Sequence, residues 1–133
     1  MKRRIAPRAL DRLKARVREL TRRNGGRSMA NVARDLGRYL LGWRAYFRFT
    51  EMPSALADLD RWIRHRLRAL QLKQWKRGTT VFRELTARGV QRGPAAKVAK
   101  HTRRWWRTSG TREFNLALPN TVFDKLGVPR LAP

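Results

Sequence analysis

Apolar residues recur at every third or fourth position along most of the chain, a spacing that predicts α-helices, and no stretch alternates convincingly like a β-strand. The first predicted helix begins near Pro7, because proline is tolerated in the first turn of a helix. Its apolar side consists of Leu10, Leu13, Val17 and Leu20, and its opposite side of Arg8, Arg12, Arg16 and Arg23. The run Asn24-Gly25-Gly26 is expected to end this helix.

A second helix is predicted to begin after Ser28, a residue suited to the N-cap position. One side of this helix carries Val32, Leu36, Tyr39, Leu40, Trp43 and Phe47, and the other carries Arg34, Arg38, Arg44 and Arg48. Gly37 and Gly42 weaken the helix, and a bend is predicted near Gly42.

A third helix is predicted to begin at Pro53-Ser54. Its apolar stripe is Leu56, Leu59, Ile63, Leu67 and Leu70, which is expected to face away from Arg61, Arg64 and Arg68. Leu72 and Trp75 fall on the polar side if the helix continues. Either the helix breaks before them or they dock the segment that follows, and we favour docking.

Shorter elements follow Gly78: a helix through Phe82 and Leu85, a turn at Gly89, a helix from Pro94 to about Arg107, and a last helix from Pro119 to Leu126. The chain is therefore predicted to be all-α, with a bundle of three longer helices followed by a small helical, basic segment. We place the boundary between residues 1–77 and residues 78–133.

The charge of the chain narrows the class of partner. Its 133 residues carry a formal net charge of +24, with 26 arginines, 7 lysines and no cysteine. A surface this basic repels itself unless a polyanion neutralises it, and the arginine guanidinium suits forked contacts to phosphate. Nucleic acid is the leading predicted partner, well ahead of an anionic membrane surface.

The basic helix faces are the candidate nucleic-acid-binding residues. Successive arginines advance by about 6 Å per four residues, so that one helix face can contact several phosphates. A solvated face is the usual alternative for such a run, but few acidic residues are interleaved here to absorb the charge. The candidates are Arg8, Arg12, Arg16, Arg34, Arg38, Arg61, Arg64, Arg68, Lys73, Lys76, Arg77, Lys100, Arg103, Arg104 and Arg107.

The pattern does not favour catalysis. His65 and His101 are each flanked by arginines, and Asp58 and Asp60 point in different directions on a helix. No glycine-rich phosphate loop is present. We therefore predict no catalytic residue, no metal and no cofactor. Trp43, Trp62 and Trp105 are interpreted as packing residues, whereas stacking of Trp75 on a base or an arginine stays open.

The segment Leu41-Gly42-Trp43-Arg44-Ala45-Tyr46-Phe47 contains the pattern Gly-Trp-x-x-Tyr-Phe. This pattern resembles the signature of the group II intron maturase-specific domain, also called the X or thumb region of intron-encoded reverse transcriptases. Residues 59–68, which include Trp62, and residues 72–78, 104–107 and 115–120 also resemble these proteins. In this pattern Gly42, Trp43, Tyr46, Phe47 and Trp62 are expected to be mainly structural. Gly37 stands where family members often have an asparagine.

The resemblance implies a helical thumb that grips structured group II intron RNA, and in the full protein the template–primer duplex, to assist splicing and mobility. Its basic C-terminal segment resembles a region associated with DNA binding in bacterial members, which implies target DNA as a further partner and a cytoplasmic location. The sequence has no Tyr-x-Asp-Asp motif and no Cys/His endonuclease module. We therefore expect a non-enzymatic C-terminal piece of a maturase, without fingers and palm. The alternatives are a structural or architectural ribonucleoprotein component, and the thumb of a split reverse transcriptase that needs a separate fingers–palm polypeptide.

Overall fold

The computed structural model describes residues 7–23, 26–47 and 53–132, and within these ranges the chain forms helices and no strand. The predicted all-α class is therefore confirmed. The helices of the described chain are α1 (Pro7–Leu20), α2 (Met29–Phe47), α3 (Pro53–Trp75), α4 (Gly78–Ala87), α5 (Arg92–Ala99), α6 (Trp105–Ser109), α7 (Arg112–Ala117) and α8 (Asn120–Lys125).

The contacts divide the chain into two compact units. Unit 1 joins Met1–Arg64 to the C-terminal stretch Phe123–Pro133, and unit 2 is His65–Val122. The division falls inside α3 rather than between residues 77 and 78. The predicted boundary between a thumb-like helical domain (residues 1–77) and a basic helical segment (residues 78–133) stays a prediction.

Unit 1 buries the apolar stripes that the sequence predicts. The described core side chains include Leu13, Val17, Val32, Leu36, Leu40, Phe47, Leu56, Leu59, Ile63, Phe123, Val128 and Leu131. Helix α1 begins at Pro7, as predicted, and ends at Leu20. The predicted stop at Asn24 and Gly25 lies outside the described residues. Ser28 is confirmed as an N-cap, because its Oγ accepts a hydrogen bond from the Asn31 backbone N–H at 3.2 Å.

Gly37 allows two backbones to approach each other closely in unit 1. A Cβ at this position would overlap the carbonyl oxygen of Gly127, which has a φ of +101°. The turn after α8 therefore packs directly against the face of α2 at Gly37. A residue with a side chain would not fit this arrangement without a shift of the backbone.

In unit 2 the last part of α3 docks the segments that follow it. Leu72 is buried, and the Trp75 ring lies 5.7 Å from the Phe114 ring, centroid to centroid. The docking interpretation of Leu72 and Trp75 is confirmed. The turn at Gly89 is also confirmed, since Gly89 has a left-handed φ of +99° between α4 and α5.

The predicted helix from Pro94 to Arg107 is wrong in its extent. Helix α5 ends at Ala99, residues 100–104 form turns, and α6 begins only at Trp105. The His101 carbonyl accepts from the Arg104 N–H at 3.1 Å and from the Thr108 hydroxyl at 2.6 Å. A side-chain donor seven residues ahead thus stabilises a change of direction that the periodicity does not reveal.

The last predicted helix is confirmed as α8, within one residue at either end. The apolar pattern does not predict helix α7. Its signal is Thr111, whose Oγ1 accepts from the Phe114 N–H, with Glu113 in the first helical turn.

Candidate nucleic-acid interface

Helix α1 presents an exposed row of arginines in unit 1. Arg8, Arg12 and Arg16 are exposed, while Leu13 and Val17 of the same helix are fully buried. The amphipathic separation predicted for this helix therefore holds for these residues. Arg16 lies 3.0 Å from Glu19, but both side chains are about half exposed, and such a surface pair is weak and screened by salt. The α1 row can turn toward a phosphate at little cost.

Helix α2 adds Arg34 and Arg38, which are also exposed. Arg34 Nε lies 3.7 Å from Asp35, and Arg27 donates a hydrogen bond to the same carboxylate. The Arg27 contact is the main reason why the pKa of Asp35 lies below its usual value. This carboxylate offsets part of the local positive charge.

Helix α3 does not present the basic face that its spacing predicts. Arg61 is exposed and pairs with Asp58, but Arg64 is only 1% exposed and Arg68 only 4%. The assignment of Arg64 and Arg68 to a nucleic-acid-binding surface is wrong, because a phosphate chain cannot reach a buried guanidinium.

Arg64 is held inside unit 1 by two carboxylates. Its Nη2 donates to Asp124 Oδ1 at 2.7 Å and to the Val128 carbonyl at 3.0 Å, and its Nη1 lies 3.8 Å from Asp60 Oδ1. Asp60 in turn accepts from the Leu131 N–H at 2.9 Å and from the Ala132 N–H at 3.0 Å. The buried charge is compensated by its hydrogen bonds to Asp124 and the Val128 carbonyl and by the nearby Asp60 carboxylate.

Arg68 has a comparable role inside unit 2. Its Nε donates to the Leu118 carbonyl at 2.7 Å and its Nη2 to Asn120 Oδ1 at 2.7 Å. These acceptors lie some fifty residues further along the chain: Leu118 is in the connection between α7 and α8, and Asn120 is the first residue of α8. Arg68 is therefore a structural residue that fixes this connection.

At the end of α3, Lys73, Lys76 and Arg77 are exposed, as the sequence suggests. Lys76 takes a left-handed φ of 61°, and Arg77 occupies the N-cap position of α4. Beside them the Arg88 guanidinium lies 5.1 Å from the Trp75 ring centroid. Within the chain, the Trp75 ring therefore lies against the Arg88 guanidinium and the Phe114 ring, as the arginine alternative predicted.

Lys100, Arg103, Arg104 and Arg107 are exposed, but they do not form one helix face, because the helix is interrupted. Lys100, Arg104 and Arg107 instead line an open cleft of about 850 Å³ in unit 2, which we call the α5–α7 cleft. Lys97, Val98, Thr108 and Glu113 also line it, and Arg103 does not. Sequence reasoning missed Lys97 and this concavity, because the concavity depends on the turn at residues 100–104.

The aromatic residues of α2 form a continuous cluster. The Trp43 ring stacks on Phe47 at 5.5 Å and meets Tyr46 edge-on at 5.3 Å. Phe47 is buried, Trp43 half-buried and Tyr46 exposed, whereas a Cβ at Gly42 would meet no atom within 4 Å. In α3, Trp62 is half-buried, with the Arg18 guanidinium 5.3 Å from its ring centroid.

The aromatic cluster and the cations of α2 and α3 lie in a stretch that matches a known family. Residues 10–89 match the family model of the group II intron, maturase-specific domain, which is well over half of the chain. The chain belongs to this family. No curated protein matches it significantly.

The maturase-specific match runs from α1 to the turn after α4. It includes the exposed Arg12, Arg16, Arg34 and Arg38 and the buried Arg64 and Arg68. It leaves out α5 to α8 and therefore the α5–α7 cleft. The family assignment and the cleft are independent observations.

Over residues 7–23, 26–47 and 53–132, no group of three or more His, Asp or Glu side chains is placed to hold a metal ion. In the same part of the chain, none of the helices has the length and apolar character needed to cross a bilayer. His65, one of the two histidines, stacks on Trp106 with ring centroids 3.7 Å apart.

Proposed function

We propose that this maturase-specific chain binds structured group II intron RNA and assists its splicing by holding the folded RNA. The role is binding and positioning, without chemistry of its own. The observation that carries the proposal is the exposed α1 row of Arg8, Arg12 and Arg16, of which Arg12 and Arg16 lie in the stretch that matches the maturase-specific family. In a complete reverse transcriptase, the same domain would meet the template–primer duplex.

The physical mechanism is neutralisation of phosphates by a rigid row of charges. The row advances by about 6 Å per four residues, so that its guanidinium groups can contact successive phosphates along one strand. Each contact releases counterions, and the compact RNA, which has the highest phosphate density, releases the most. Binding therefore stabilises the folded RNA by mass action. Helix α2 contributes Arg34 and Arg38, and Lys73, Lys76 and Arg77 are further candidates in unit 2.

The test is binding of a transcribed group II intron RNA by the full chain and by the triple variant Arg8→Glu, Arg12→Glu and Arg16→Glu. We expect the variant to lose about tenfold or more in affinity and to show a shallower salt dependence, because three phosphate contacts are lost. Fluorescence anisotropy over a salt series measures both quantities. Circular dichroism should show unchanged helix content, since all three side chains are exposed.

The matched control reverses three other exposed cations, Arg83, Arg112 and Lys125, which gives the same change in net charge. Equal losses for the two triple variants would show that total charge, rather than the α1 row, determines binding. A dissociation constant that does not respond to salt would contradict the proposal outright. A ribosomal RNA of matched length, bound as tightly as the intron RNA, would favour the architectural alternative.

A further inference from the structure

The α5–α7 cleft differs in shape from the convex helix faces of unit 1. Its volume of about 850 Å³ lies in the range of pockets that enclose small ligands, about 300–1,000 Å³. A double helix keeps its bases stacked inside and can only lie across such an opening. An unpaired nucleotide can enter it.

The rim of the cleft is cationic. Lys97, Lys100, Arg104 and Arg107 line it and are exposed, while Glu113 is a half-buried carboxylate among them. Four cations against one carboxylate favour an anionic ligand, and paired arginines suit the fork geometry of a phosphate.

The floor of the cleft has a different character. Val98 and Thr108 line the cleft although they are only 7% and 3% exposed, so they form its inner surface. The hydroxyl protons of the floor are already engaged: Thr108 donates to the His101 carbonyl at 2.6 Å, and Thr111 donates to the Thr108 carbonyl at 2.8 Å. The floor thus offers mainly apolar surface, which accommodates the face of any base without reading its edge.

We propose that the α5–α7 cleft binds one unpaired nucleotide of a single-stranded nucleic acid, with its phosphate on the cationic rim and its base on the apolar floor. The cleft therefore distinguishes single strands from duplexes and does not distinguish one base sequence from another. This site lies in unit 2 and outside the family match, so it does not depend on the α1 row.

Gly93 gives a test that leaves the charge unchanged. It lines the cleft within α5, it is exposed, and a Cβ there would meet no atom within 4 Å. Gly93→Leu should therefore fold and partly fill the cleft. Ala96→Leu is the matched control, because Ala96 is exposed on the same helix and does not line the cleft.

The probes are labelled oligo(U) and oligo(dT) of about 12 nucleotides, within the usual site size of a single-strand binding surface, and a hairpin duplex of equal charge. Anisotropy with the full chain measures the affinities. We expect Gly93→Leu to weaken single-strand binding by about fivefold or more while changing duplex affinity by less than about twofold, because only the unpaired base uses the floor. Comparison of oligo(U) with oligo(dT) shows whether the cleft prefers RNA or DNA. Equal affinities of Gly93→Leu and Ala96→Leu for the single strands would overturn the proposal, as would an equal loss for single strand and duplex.

Charge reversal gives a second measurement that does not rely on filling the cleft. Arg104→Glu with Arg107→Glu should weaken single-strand binding about tenfold, and Arg83→Glu with Arg112→Glu, which are exposed outside the cleft, by less than about threefold. Indistinguishable double variants would refute the site. The α1 triple variant addresses intron RNA separately, so that failure of the proposed function and failure of the cleft proposal give different results.

Discussion

Helices α1 and α3 each carry arginines three or four residues apart, but the two sets of side chains have opposite environments. Arg8, Arg12 and Arg16 of α1 are exposed. Arg64 and Arg68 of α3 are almost completely buried and bind carboxylate, amide and carbonyl oxygens. Spacing alone therefore does not separate a phosphate-binding face from a structural one.

The acceptors available in the folded chain make the difference. Arg64 reaches Asp124 and Val128, which lie 60 and 64 residues later in the sequence. Glu19, the acid beside Arg16, is itself exposed and cannot draw the arginine inward. The lesson is that an arginine row indicates a binding surface only when distant parts of the chain leave it uncovered.

The largest expected effect comes from removing a buried arginine. Arg64→Met should lower the free energy of unfolding by about 3 kcal/mol, because it leaves Asp60 and Asp124 in a partly buried site without their shared guanidinium. Urea denaturation followed by tryptophan fluorescence measures this change. A surface role for Arg64 predicts lost RNA affinity at unchanged stability, which is the opposite result.

Arg61→Met is the control for that experiment, since Arg61 precedes Arg64 by about one helical turn and pairs only with exposed Asp58 among the contacts described. Its unfolding free energy should change by less than about 0.5 kcal/mol. Similar stabilities of the two variants would remove the distinction between buried and exposed arginines on α3.

A medium effect is expected where the C-terminal stretch that carries Asp124 and Val128 approaches α2. Gly37→Ala should destabilise the protein by about 2 kcal/mol, because the new Cβ overlaps the Gly127 carbonyl and pushes this stretch away from Arg64. Gly42→Ala, later on the same helix and on its exposed side, meets nothing and should stabilise the helix by up to about 1 kcal/mol. Thermal unfolding followed by circular dichroism measures whether each variant unfolds at a lower or a higher temperature than the wild type. A stabilising Gly37→Ala would contradict the close packing.

Features that depend on local order can be predicted from the sequence. The apolar stripes of α1, α2 and α3, the Ser28 cap and the Gly89 turn follow from neighbours within one or two helical turns, and the structure has them. The all-α class follows from the same signals.

The predictions that are wrong concern mainly side chains whose hydrogen-bond partners are distant in sequence. Arg64 and Arg68 look like surface residues until Asp124, Leu118 and Asn120 fold back onto them. The α5–α7 cleft lies where the helix is interrupted at residues 100–104, a turn that Thr108 stabilises by donating to the His101 carbonyl seven residues earlier. Helical periodicity contains no information about such contacts. The Arg12 and Arg16 candidates, by contrast, lie in the family match and on the surface, and their role in binding RNA stays a prediction.

The smallest expected effect concerns pH and compares Asp124, which binds both buried Arg64 and exposed Arg130, with Asp35, which binds exposed arginines. Hydrogen bonds from Arg130 first, and then from Arg64, hold the pKa of Asp124 below its usual value. The unfolded chain therefore binds a proton at higher pH than the folded chain does. The stabilisation from Asp124 is complete above the unfolded pKa of about 4 and is lost as the pH falls through the lower, folded value. Asp124→Asn should accordingly be less stable than the wild type at pH 7, and the difference should shrink as the pH falls from about 5 to about 2.

Asp35→Asn is the matched comparison, because the pKa of Asp35 is also lowered, chiefly by a hydrogen bond from the exposed Arg27. In about 0.5 M salt, the Debye length falls to a few ångströms and exposed pairs are screened more than buried ones. The pH-dependent difference between Asp35→Asn and the wild type should then largely disappear, whereas that of Asp124→Asn should persist in part, since salt screens its pair with exposed Arg130 but not its pair with buried Arg64. Urea titrations across this pH range at low and high salt provide the measurement. Equal salt sensitivity of the two variants would mean that the Arg64 site behaves electrostatically like the surface of α2, and the contrast between the two arginine environments would then rest on packing alone.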